Sequence, residues 1–146
     1  MIKRVITNLD AKQCDDLLTK LVLDERKYDK NIDENFIVKD YFKSIIQKEN
    51  HYVLAYFKDN IIVGYIYLKP IENDNKLGYL IDGLYVLEEY RNQKIAKSLI
   101  LEALNILAKL DIEYIDINVM WDNEVAKNLY KYLGFDEFKI QMRKYI

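Results

Sequence analysis

The chain has 146 residues, with 22 Lys and Arg against 24 Asp and Glu, a formal net charge of −2, and 51% hydrophobic residues. Such a length fits one domain, residues 1–146, able to bury a core, and the near-neutral balance argues against a general nucleic-acid binder. A lone cysteine, Cys14, excludes an internal disulfide framework, and the lack of a signal peptide or a long apolar run points to a soluble cytoplasmic protein with no membrane span.

Residues Ile2 to Thr7 read as a short β-branched strand. Asp10, with Gln13 three residues on, looks like the capping box of a helix whose apolar stripe is Cys14, Leu17, Leu18, Leu21 and Val22. Cys14 in that stripe reads as a buried small hydrophobe. A polar stretch from Asp24 to Glu34 leads to a second helix with Ile37, Val38, Tyr41, Phe42, Ile45 and Ile46 on its inner side. Strands His51 to Phe57 and Ile61 to Leu68 flank the hairpin signal Lys58-Asp59-Asn60, and Pro70 is expected to end the second. A third strand runs from Leu77 to Leu87, with Gly83 as a candidate bulge.

The period then changes. Ile95, Ala96, Leu99, Ile100, Ala103, Leu104 and Leu107 recur at helical spacing, in a helix predicted to begin near Arg91. Ile112 to Val119 returns to strand. Asn123 is placed to cap a last helix carrying Val125, Ala126, Leu129 and Leu133. Gly134 sits where a left-handed residue would end it, Phe135 folds back, and Phe138 to Tyr145 reads as a final strand. A strand–helix–strand crossover demands parallel pairing while the hairpin demands antiparallel. The expected class is therefore α/β (α+β), a mixed sheet with helices on both faces, in the order β-α-α-β-β-β-α-β-α-β.

Helix N-termini present unpaired N–H groups and partial positive charge, which suits phosphate. Arg91, Lys94 and Lys97 lie close to such a start, after the strand Leu84-Tyr85-Val86. Three cations there oppose the helix dipole, and either a bound polyanion or the neighbouring Glu88 and Glu89 would relieve the conflict.

Arg91-Asn92-Gln93-Lys94-Ile95-Ala96 resembles the pyrophosphate motif of the GNAT acetyltransferase superfamily: Gln or Arg, two residues, Gly, any residue, then Gly or Ala. Downstream, Asn123, Ala126, Leu129-Tyr130 and Leu133-Gly134-Phe135 resemble that family's next motif, in the right order and one strand away. The resemblance covers the C-terminal third closely and implies a GNAT-like sheet of six to seven strands. It also implies acetyl-CoA as co-substrate, with Leu84, Tyr85, Val86, Arg91, Asn92, Gln93, Lys94, Ile95, Ala96, Lys97, Asn123, Ala126 and Tyr130 around it. Lys94 departs from the motif glycine. Its ammonium would contact a phosphate oxygen or its side chain would crowd the backbone approach that glycine permits.

The reaction implied is direct attack of a primary amine on the thioester, which needs a deprotonated amine and a protonated leaving thiolate. Tyr130 matches the family's general acid. Ile81-Asp82-Gly83-Leu84-Tyr85-Val86 resembles the run that carries a Glu base in diamine acetyltransferase-like members, so Asp82 is the candidate base, working through water. Asp116 and Asn118 share one face of their strand and would line the cleft. His51 reads as structural or exposed, and no His, Cys and carboxylate spacing fits a metal site.

The acceptor side contains Asp24, Glu25, Asp29, Asp33 and Glu34 with Tyr28, Phe36 and Tyr41, suited to a small-molecule or peptidyl amine or merely to a solvated connection. The rival to an enzyme is a CoA-binding module with weak or no catalysis, acting as a sensor or interaction protein. Transfer to an oxygen acceptor, or of a longer acyl group, is a third reading. After Gly134 either a very tight hairpin forms or one strand stands at the sheet edge, where it would pair with a second subunit in a homodimer.

Overall fold

The computed structural model describes residues 1–73 and 76–146. Among the described residues, one sheet has strands β1 (Ile2–Arg4), β2 (Tyr52–Lys58), β3 (Ile61–Asn73), β4 (Lys76–Val86) and β5 (Tyr114–Ile117), side by side in that order. The first four run antiparallel to their neighbours and β5 lies parallel to β4, as the crossover requires. The mixed α/β class holds with five strands rather than six to seven.

Among the described residues four α-helices cover the sheet: α1 (Asn8–Asp24), α2 (Tyr41–Ile45), α3 (Ile95–Leu107) and α4 (Glu124–Tyr132). Alternation along the strands sorts the core into two layers. Val53, Ala55, Tyr65 and Tyr67 meet Ala11, Cys14, Leu17 and Phe42 of α1 and α2 on one face. Leu54, Ile66, Leu68 and Tyr79 meet Leu99, Ile100 and Leu107 of α3 on the other, where Leu129 and Leu133 also pack. Cys14 is fully buried, and that burial pushes its thiol pKa up to about 12, which keeps it protonated.

Several elements depart from the sequence reading for identifiable reasons. The cap of α1 is Thr7, whose hydroxyl accepts the Asp10 N–H at 3.1 Å; Asp10 lies inside the first turn and Gln13 accepts instead from the Ile62 N–H. Helix α2 is a short stub, because Val38 is held by the Thr19 hydroxyl and Ile37 faces solvent. Its start is capped from α1: the buried Asp15 carboxylate accepts the Phe42 N–H at 2.9 Å. Strand β3 continues through Pro70, since β2 begins opposite Leu68 and one side of β3 has no partner beyond it. The turn Asp59-Asn60 places both residues at positive φ, the primed geometry that matches strand twist.

Strand β4 changes faces partway. Tyr79 and Ile81 sit on the α3 side, yet Tyr85, also odd-numbered, sits on the α1 side. The register explains this, since Tyr67 pairs with Gly83 and Leu68 with Ile81, leaving Asp82 as the extra residue of a bulge. The bulge lies beside Gly83 rather than on it. Gly83 is needed because a Cβ there would stand 2.9 Å from the Tyr65 hydroxyl.

That hydroxyl is fully buried and has no hydrogen-bond partner among the described residues. An unmade buried hydrogen bond is costly, so Tyr65→Phe is expected to raise stability by about 1 kcal/mol. A urea midpoint that falls would show that the hydroxyl has a partner.

The segment after α4 is the largest departure. Asn123 caps α4 through the Ala126 N–H at 3.2 Å, Gly134 takes φ +98°, and Phe135 folds back on Tyr130 as expected. Phe138 to Tyr145, however, is not a strand, because none of its backbone groups finds a partner among the described residues. Val125, assigned to the buried stripe of α4, is 84% exposed.

Candidate active site

Strands β4 and β5 are paired only from Gly78–Tyr114 to Ile81–Ile117. Beyond Ile81, β4 continues through Asp82 to Val86 with no β5 neighbour, which leaves that edge of the strand unpaired by β5. Leu84, Tyr85 and Val86, expected to meet the co-substrate, form this stretch. Asp116 and Asn118 stand on the opposite strand and just past it.

At the end of β4 the chain makes a short 3-10 turn, Glu88–Tyr90, and α3 begins at Ile95 rather than near Arg91. The delay follows from two left-handed residues, Asn92 and Lys94, both at φ 62°. Lys94, the N-cap of α3, supplies no side-chain cap. Ser98 is the first residue whose N–H finds a helical acceptor, the Lys94 carbonyl at 3.0 Å. The N–H groups of Ile95, Ala96 and Lys97 have no protein acceptor among the described residues, which suits the two charged oxygens of a pyrophosphate.

The motif glycine is thus replaced by a residue in the conformation that favours glycine. Restoring it, Lys94→Gly, is expected to stabilise the fold by about 1 kcal/mol, visible as a rise in Tm. An unchanged or lower Tm would mean that the lysine side chain compensates for its backbone.

The predicted cations are not gathered on the helix. Arg91 donates from Nε to the Val86 carbonyl at 2.9 Å, pairs with Asp24 at 3.2 Å, and lies over the Tyr85 ring at 5.2 Å. Tyr85 donates to the same Asp24 oxygen, and the Asp24 carboxylate pushes its pKa up to about 12 in addition to burial, the larger cause. Lys97 rests over the Tyr132 ring, and Gln93 is held by Lys58 at 2.9 Å. The sequence placed Asp24 among acceptor-side acids; its tie to Arg91 spans 67 positions and carries no local signal.

Asp82 is exposed at the bulge, and partial desolvation raises its carboxyl pKa, while the nearby Lys69 charge opposes this. Its charge also adds to the raised pKa of Tyr41, Tyr65 and Tyr67, each caused first by burial. Tyr67 shares a 2.7 Å hydrogen bond with His51 Nδ1, and His51 is held towards its neutral form by burial and by Lys48 and Lys69. That pair escaped the sequence reading. Tyr130 is half-buried on α4, and burial raises its pKa, so at neutral pH its hydroxyl carries its proton.

The sequence model of the acetyltransferase (GNAT) family matches residues 16–135. The chain belongs to that family. The spermidine N(1)-acetyltransferase of Thermoplasma acidophilum is 37% identical over 82 residues, 56% of this chain and 48% of that one. The chain therefore matches about half the length of that curated relative. Among solved structures, a Bacillus halodurans protein superposes with a TM-score of 0.88 at 20% identity, covering 100% of this chain and 99% of the other. An aminoglycoside N-acetyltransferase crystallised with CoA gives 0.75 at 16% identity, with 100% of each chain covered. These likenesses establish a GNAT fold; the chemistry of this chain rests on its own residues.

Proposed function

We propose that this GNAT protein is an N-acetyltransferase that moves the acetyl group of acetyl-CoA to a primary amine. The observation that carries this reading is the end of β4–β5 pairing at Ile81 together with the uncapped start of α3, an unpaired strand edge for an amide arm and free N–H groups for phosphates. The thioester supplies the acetyl group and a thiolate leaving group. Ile95, Ala96 and Lys97 N–H groups hold the phosphates, with Asn92, Gln93 and Lys94 shaping the loop and Arg91 beside it. The free edge of Leu84 to Val86 aligns the carrier's amide arm, with Asn123 and Ala126 across the cleft. Asp82, reaching through water, takes one proton from the acceptor ammonium; after the attack Tyr130 gives its phenolic proton to the departing sulfur, and the second proton leaving the nitrogen restores the phenol through water.

The acceptor we infer is a cationic small molecule. Asp82, whose charge acts on Tyr41, is exposed, as are Asp33 and Glu34 in the segment before α2, and the relative named above is a spermidine N(1)-acetyltransferase. A second reading, a CoA-binding module without turnover, is favoured by one contact alone: Arg91 is already engaged by Asp24.

Calorimetric titration with acetyl-CoA tests the binding step. Micromolar affinity is expected, weakened at least tenfold, about 1.4 kcal/mol, in Arg91→Glu. No binding at millimolar concentration would sink the reading. Thiol release across a panel of polyamines, aminoglycosides and peptide amines then separates enzyme from module, since the module binds and releases none.

A further inference from the structure

We propose that Asp24, at the end of α1, is a positioning residue for acetyl-CoA: it holds Arg91 and, through it, the phosphate-receiving shape of the loop before α3. This rests on the co-substrate reading above. The loop contains two non-glycine residues in the left-handed region, Asn92 and Lys94, each at φ 62°. Such a backbone persists only where its surroundings hold it. Here the residues that alternate with them are pinned from outside the loop, Gln93 by the Lys58 ammonium at 2.9 Å and Arg91 by three contacts. Arg91 donates from Nε to the Val86 carbonyl at 2.9 Å and from Nη2 to Asp24 Oδ2 at 3.2 Å, and it lies over the Tyr85 ring. The same Asp24 oxygen accepts the Tyr85 hydroxyl at 3.2 Å, so one carboxylate joins the ends of α1 and β4 to the loop.

Neither helix chemistry nor stability accounts for Asp24. A carboxylate at a helix C-terminus opposes the dipole, the last turn of α1 carries no basic residue, and Glu25 follows directly. The pair with Arg91 does little to hold the fold, because the two side chains are 50% and 42% exposed and an ion pair so placed adds little stability. Its effect is local order in a loop whose backbone needs support. Asp24 also places a negative charge near the loop, which by itself repels phosphate. Charge and positioning therefore predict opposite signs when the carboxylate is removed: tighter binding from charge alone, weaker binding from lost order.

Calorimetric titration of the full chain with CoA, parent against Asp24→Ala, reads that sign. The variant is expected to bind about tenfold more weakly although it has lost a negative charge. In thiol-release kinetics KM for acetyl-CoA should rise by a similar factor, while kcat at saturating co-substrate and KM for the amine stay within about twofold of the parent. Unchanged or tighter binding would overturn the proposal, and so would a rise confined to the KM of the amine, which returns Asp24 to the acceptor side. A parent that binds no CoA at millimolar concentration overturns the co-substrate reading itself and this proposal with it, so the two failures are distinguishable. Hydrogen exchange gives a readout that needs no co-substrate. The Ser98 N–H donates to the Lys94 carbonyl at 3.0 Å, and its exchange should quicken in Asp24→Ala while the urea midpoint stays put. Exchange at the parental rate contradicts the positioning role.

Discussion

Asp82→Asn is expected to lower kcat for acetyl transfer about 10²- to 10³-fold, within the range for loss of a general base. The urea midpoint should stay within about 0.5 kcal/mol of the parent, because an exposed side chain outside the core contributes little to stability. Steady-state thiol release over a pH series is the measurement. Burial raises the folded pKa of Asp82 above the ordinary carboxylate value, so the ionised, proton-accepting form is lost as pH falls through that raised pKa. The parent should therefore show an acidic limb in kcat lying above the usual carboxylate range, and the variant should lack it. A variant that keeps the limb would assign it to another group, with the His51–Tyr67 pair next in line.

Phe42→Ala is the substitution with the largest expected cost to the fold. The ring is 1% exposed and meets Tyr41, Tyr65 and Tyr67 edge-on at centroid distances of 5.1, 5.3 and 5.9 Å. Truncating a buried phenylalanine costs about 3–5 kcal/mol, a large share of the ~5–15 kcal/mol that holds a domain together. Helix α2 has five residues, too few to persist alone, so its position depends on Phe42, Ile45 and the Asp15 cap. Denaturant unfolding should report the loss, and a change below about 1 kcal/mol would mean that the tyrosines close over the gap. Tyr41 belongs to the proposed acceptor side, so on that reading KM for the amine should rise before kcat falls.

What could be read from the sequence was whatever is local and periodic. The stripe from Ile95 to Leu107, the Asn123 cap, the left-handed Gly134 and the crossover between β4 and β5 all follow from side chains within a few positions of one another. The misses have a different origin. Asp15 caps a helix 27 residues away, and the Asp24–Arg91 pair joins the end of α1 to the loop before α3. Lys94 hid its left-handed backbone because lysine gives no signal for it, so α3 was begun too early. Phe138 to Tyr145 has strand chemistry, but a strand exists only where something pairs with it, and one chain cannot reveal that. At the proposed site, the motifs pointed to Asp82 and Tyr130 as candidates, whereas the bulge that exposes Asp82 comes from register.

The bulge leaves both core layers independent of Asp82. Deleting that residue would keep Ile81 opposite Leu68 and Gly83 opposite Tyr67 as neighbours in a regular ladder, with Tyr85 still towards α1 and Val86 towards α3. Replacing Asp82 by another amino acid likewise leaves both layers intact. The position proposed to carry the proton chemistry is thus one on which the packing of the strand does not depend. Selection for a new acceptor could change that side chain without first having to rescue the core.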